Sequence, residues 1–134
     1  MSFADDIARF RAETEEKVTK VKRMAAFDLF SSIVIETPVL TGVLRNNWYA
    51  NLGSGSTRTT TTPSTSNSSV ISRIEGELAA TNLVKDIFFT NNLPYAYPIE
   101  FDGHSAKAPQ GMVRINCLRW DTIVSNNARL IGNN

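Results

Sequence analysis

A single cysteine and a single histidine leave this sequence short of the side chains that most often do chemistry. Cys117 alone excludes an intramolecular disulfide and a cysteine zinc site, and its apolar neighbours suggest an inert core thiol. His104 sits in a polar loop beside Asp102 and Ser105, with no G-x-S-x-G elbow and no separate base and acid to complete a triad, so it reads as a loop histidine. There is no second histidine for an H-x-x-x-H metal pair, no Asp/Asn-rich calcium loop, and no Gly-Lys-Ser/Thr after Gly53-Ser54-Gly55 to cradle a phosphate. Catalytic, metal and cofactor residues are therefore expected to be absent. Charge of one sign is lacking as well: the net charge of +1 does not announce a nucleic-acid binder. No apolar run approaches the ~20 residues that span a bilayer, and Asp5 and Asp6 interrupt any signal-peptide pattern. The expectation is a soluble protein without a membrane partner, made in a cytoplasm-like compartment.

What is present suits one globular domain. The chain has 134 residues, 42% of them hydrophobic, enough for one core. Apolar residues recur in steps of three or four from Phe3 through Ile7, Phe10, Val18, Val21, Ala25 and Leu29 to Ile33, predicting a helix over 3–36. Ser2 and Asp5 form a capping-box pattern, Glu13–Lys17 and Glu16–Lys20 are spaced for ion pairs, and Pro38 stops the helix. Met24 to Ile35 is apolar nearly all round, as in a central core helix or one also covered by a neighbouring subunit. The basic group Lys17, Lys20, Lys22 and Arg23 adjoins Glu13, Glu15 and Glu16, which favours a solvated face or intersubunit ion pairs over phosphate contact.

The spacing predicts a turn at Thr41-Gly42, strands at 43–52, 70–74 and 86–90, a short helix at 75–83, and a helical turn or extended segment at 95–101. A loop at 102–111 and a closing helix over 112–131 follow. Twelve of residues 53–69 are Ser or Thr, a composition that buries little apolar surface and reads as a flexible insertion. The sum is an α+β domain, with a long N-terminal and a C-terminal helix packed on a small, mostly antiparallel sheet.

Two segments stand apart. TPVLTGVLRNNW (37–48) and NNLPYAYPIEFDGHSAKAPQGMVR (91–114) both set Gly or Pro beside aromatics and Arg. Such residues are enriched at protein interfaces, and rigid turns lower the cost of binding, although a core strand with its turn would look the same. Thr41-Gly42-x-Leu44-Arg45-Asn46-x-Trp48 resembles an element of tailed-phage neck and tail-completion proteins, the family of the minor tail protein Z of lambda. The second segment is similar to that family through Asn92, Pro94, Tyr95, Ala96, Glu100, Gly103, Ser105, Ala108, Pro109, Gly111, Met112, Val113 and Arg114. Family members often carry Asp before the Thr-Gly pair, where this chain has Leu40, and the Ser/Thr-rich segment looks like an addition.

The resemblance implies a structural virion protein of the head–tail junction, assembled in the host cytoplasm as a ring, by family expectation a hexamer. Its partners would be the head-completion or stopper protein and the tail terminator or tail tube protein, with double-stranded DNA passing through the lumen without sequence specificity. The interface residues it suggests are Thr41, Gly42, Leu44, Arg45, Trp48, Pro94, Tyr95, Tyr97, Glu100, Pro109, Met112 and Arg114. A tail terminator ring capping the tube is the neighbouring alternative. A nucleic-acid-binding accessory protein or small hydrolase is the more distant one.

Overall fold

Ser2 opens the first helix in the computed structural model, which describes residues 2–103 and 105–132; His104 lies outside them. The Ser2 hydroxyl accepts from the Asp5 N–H and the Asp5 carboxylate from the Ser2 N–H, so the expected capping box is made. Helix α1 then runs Phe3–Glu36 and stops at Thr37, one residue before Pro38. At 34 residues it is about 51 Å long. Its ion pairs are Arg9–Asp6 and Arg11–Glu15 rather than the two glutamate–lysine pairs that spacing suggested.

The remaining elements are short. They are α2 (Val43–Asn46), β1 (Trp48–Leu52), α3 (Asn67–Glu77), β2 (Ile87–Asn91), α4 (Ala96–Phe101), α5 (Arg114–Cys117) and α6 (Trp120–Gly132). β1 and β2 pair antiparallel, with Trp48 opposite Asn91 and Leu52 opposite Ile87. The α+β class, the long N-terminal helix, a C-terminal helix and the small antiparallel sheet are as the sequence predicts.

Five expectations fail locally, one of them the short helix over 75–83: the helix there is α3, which already ends at Glu77. The strand foreseen over 43–52 begins only at Trp48, because Gly42 at φ 91° starts a helical turn first. Residues 70–74 are helical: Ser66 caps the Ser69 N–H, and Val70 and Ile74, four apart, enter the core together. β2 is not fully buried, since Phe88 is exposed. The closing helix breaks at Leu118–Arg119 into α5 and α6, leaving Leu118 and Leu130 in solvent and Cys117 exposed rather than in the core.

The core lies against the second half of α1. Ala26, Phe30, Ile33 and Val34 meet Trp48 from β1, Val70, Ile74 and Leu78 from α3 and its end, and Met112. Phe89 stacks between Phe30 and Trp48, with ring centroids 4.0 and 4.8 Å away. The Trp48 indole N–H donates to Thr37 Oγ1 at 2.8 Å, which ties β1 to the end of α1. α6 packs on another side of α1, where Asn127 Nδ2 donates to Asp28 at 2.8 Å. Residues 2–18 of α1 are exposed throughout and form an arm.

This division predicts unequal costs. Ile74→Ala, at a fully buried position, should lose about 2–5 kcal/mol of stability in urea unfolding. Phe10→Ala, on the exposed arm, should lose under ~0.5 kcal/mol. Equal losses would mean that the arm belongs to the folded core.

Candidate functional site: a cleft between two clamped segments

The two Gly/Pro-punctuated segments meet in space. Between them lies a cleft of about 560 Å³, walled on one side by Val39, Leu40, Thr41 and Leu44 and on the other by Tyr95, Ile99 and Ala106. Leu40 is 97% exposed and Tyr95 45%, so the cleft opens directly to solvent. Lys107 brings a charge to its rim.

Each wall is held by a polar clamp. In the first, Gly42 adopts φ 91°, and a Cβ there would meet the Ser64 carbonyl oxygen at 2.7 Å. Ser64 N–H donates to the Gly42 carbonyl at 3.0 Å. Arg45 donates through Nε to Ser64 Oγ at 2.6 Å and through Nη1 to Asn67 at 3.0 Å. Asn46 and Asn47 donate to the carbonyls of Thr62 and Thr60, and Thr60 N–H returns a bond to Asn47. Arg58 and Arg73 lie over the Tyr49 ring, 4.4 and 4.5 Å from its centroid. The Ser/Thr-rich stretch is therefore a strap laid along α2 and β1. Composition suggested a flexible insertion because it counts side-chain burial alone; here the strap's backbone is held by Arg and Asn side chains.

The second clamp closes on Glu100, which is 7% exposed. Its carboxylate accepts from the N–H groups of Met112, Val113 and Arg114 at 2.6, 2.7 and 3.0 Å, and from Arg114 Nε at 2.9 Å. Arg114 Nη2 also donates to the Glu100 carbonyl. The guanidinium covers the Phe101 ring at 4.6 Å, beside Tyr97. Gly111, at φ 87°, is obligatory, because a Cβ would sit 2.6 Å from both the carbonyl and a carboxylate oxygen of Glu100. Desolvation by burial is the largest single influence on this carboxyl and pushes its pKa up. The N–H donors of Val113, Arg114 and Met112, with the Arg114 side chain, outweigh it and hold the pKa below the ordinary value.

The suggested interface residues thus divide. Thr41, Gly42, Leu44 and Tyr95 line the cleft. Trp48, Glu100 and Met112 are buried inside the subunit. Arg45 and Arg114 are engaged within the chain, while Pro94, Tyr97 and Pro109 lie exposed outside the cleft. Sequence reasoning did not single out Leu40 and Ile99 as site residues. A large apolar residue in a polar turn, at Leu40, was the available signal.

Among the described residues no hydroxyl or thiol is hydrogen-bonded to a carboxylate or amine that could serve as its base. Among the described residues no group of His, Cys, Asp and Glu is placed to hold a metal ion, and no helix is long and apolar enough to cross a membrane. Cys117 lies exposed, its thiol pKa raised by partial desolvation first and by the Glu100 carboxylate second. Compared with known protein families, curated proteins and solved structures, the chain matches none.

Two outcomes follow. Because folding lowers the Glu100 pKa, its stabilisation is full above the unfolded value of about 4.3 and is lost as pH falls through the folded value. Glu100→Gln should cost about 1–3 kcal/mol at pH 7 and flatten the loss of stability below pH 4.5; an unchanged acid profile would remove Glu100 from that role. Arg45→Ala should free the strap, so that trypsin cleaves after Arg58, the one Lys or Arg in 53–66, several times faster than in the parent.

Proposed function

We propose that this chain is a structural protein of a tailed-phage neck, completing the tail and joining it to the DNA-filled head as one subunit of a ring. The observation that carries the reading is the cleft. The two segments that resemble the neck family face each other across an open apolar surface, each locked by its own glycine and arginine. A rigid apolar cleft is suited to receiving part of another protein, because little order is lost on binding. Leu40 and Tyr95 are its exposed anchors. In this reading the buried Glu100–Arg114 clamp shapes the surface without touching the partner.

Charge is consistent with a conduit. A lumen through which DNA slides should not hold phosphates tightly, and the chain carries a net charge of only +1. The head-side and tail-side partners, and the ring itself, belong to the proposal.

The test is electron microscopy of a lysate from a phage in which the gene is disrupted. The expected result is DNA-filled heads beside separate tails of normal length. Abnormally long tails would transfer the assignment to a tail terminator, and normal infectious particles would overturn the structural role. Leu40→Asp, at a solvent-exposed position, should reproduce the phenotype while the isolated protein keeps its stability.

A further inference from the structure

The chain exposes 8276 Å² for a mass of 14.8 kDa, about 1,300 Å² more than a compact monomer of that mass. That excess is of the order of a whole stable interface. Much of it lies on the α1 arm. Phe3, Ile7 and Phe10 are 81, 51 and 68% exposed, and their spacing of four and three residues aligns them in one stripe. α6 lies against α1 further along, with Ile131 beside Glu13, Glu16, Lys17 and Lys20.

A second uncovered surface lies at the opposite end of the same helix. Leu29, Phe30, Ile87, Phe88 and Trp120 line a groove of about 670 Å³ between α1, β2 and the α5–α6 junction. Phe88 and Trp120 remain 38 and 39% exposed there. The arm cannot fill the groove of its own molecule: Phe10 and Leu29 stand on one unbroken helix, about 28 Å apart. An arm in that groove therefore belongs to another copy.

Charge selects which chain. Residues 3–16 carry five acidic side chains against Arg9 and Arg11, and those arginines pair within the helix with Asp6 and Glu15. Residues 17–23, leading into the groove, carry Lys17, Lys20, Lys22 and Arg23 and no acid. Two arms side by side would set acid against acid. An arm laid toward the groove of a second copy sets Glu13 and Glu16 against that basic stretch.

We propose that residues 3–14 of one copy dock, head to tail, into the α1–β2–α6 groove of a second copy, with Phe3, Ile7 and Phe10 as anchors. This rests on the ring reading above and supplies its contact. A copy that gives its arm to one neighbour and its groove to another makes a heterologous contact that propagates from subunit to subunit until it closes. Two copies exchanging arms reciprocally would instead stop at a two-fold dimer, and a doubly linked dimer with nothing larger would overturn the head-to-tail arrangement.

Cys117 lines the groove and is the chain's only cysteine, which provides a direct test. The full-length Phe10→Cys variant, oxidised with diamide, should give a ladder of dimers, trimers and larger species. Peptide mapping should find a disulfide between position 10 and Cys117. Adding Cys117→Ser should abolish every species beyond a dimer. In the Phe10→Cys background, Phe88→Asp, at an exposed strand position, should lower cross-linking about tenfold, the effect of ~1.4 kcal/mol, with an unchanged circular dichroism spectrum. Linkage only between two positions 10 would establish an arm-to-arm contact and overturn the proposal. Absence of cross-links while the parent protein sediments as a ring would overturn the docking and leave the ring standing. A parent that stays monomeric at every concentration and gives no cross-links would overturn the docking too, with the neck assignment then decided by the lysate microscopy alone.

Discussion

With only two strands in its sheet, this fold offers most of its non-helical backbone no ladder to join. Buried N–H and C=O groups need partners wherever they lie, so polar side chains supply them. Arg73 donates to the carbonyls of Asn46 and Trp48, and Glu77 accepts from the Ala50 N–H. Together they close the outer edge of β1 much as a third strand would. Lys22 does the same for the carbonyls of Asn82 and Lys85, and Asn91 and Asn92 for Leu44, Ser56 and Arg58. Glu100 is the extreme case, one carboxylate gathering three consecutive N–H groups. The apolar core around Phe30, Trp48 and Ile74 can stay small because these bonds hold the surrounding loops to it.

That constraint explains the form of the two segments flanking the cleft. A side chain that binds a neighbouring backbone needs the backbone close, and close approach needs a residue without Cβ. Gly42 and Gly111 meet that need, each in a left-handed conformation and each within 3 Å of an oxygen if a Cβ were added. The arginine that follows each glycine by three residues ties down the partner loop. Rigidity is thereby built next to the exposed apolar residues, where a binding surface gains most from it.

What was legible in the sequence follows the same physics. α1 could be read from cap to stop, since period, capping box and proline are local signals. β2 could be read from its run of Ile and Phe residues. The helical start at Val43 could not, because Leu44 and Trp48 suit a strand equally well and only the contact of Gly42 with Ser64, distant in sequence, decides the matter. The order of the strap was hidden for a related reason: its own residues are uninformative, and the side chains that hold it, Arg45, Asn46, Asn47 and Asn92, lie in other parts of the chain. The candidate site was legible as two segments but not as a cleft. Arg45 and Arg114 suit charge-assisted contacts either within the subunit or across an interface, and the bonds they make here are within the chain, to Ser64 and Asn67 and to Glu100. Leu40 stood out only as the residue before Thr41-Gly42 that departs from the family pattern.

The placement of apolar surface gives the fold its functional character. A single amphipathic domain would be expected to turn its apolar helix face inward along the whole length. α1 does so only after Val18; before that its phenylalanines and Ile7 face water. Meanwhile the cleft at Leu40 and the groove at Phe88 leave two more apolar surfaces open, on different elements. A monomer gains nothing in stability from such exposure, and it raises the risk of aggregation. Three separate exposed apolar surfaces, the helical arm among them, are what the proposed ring subunit would need to meet more than one neighbour.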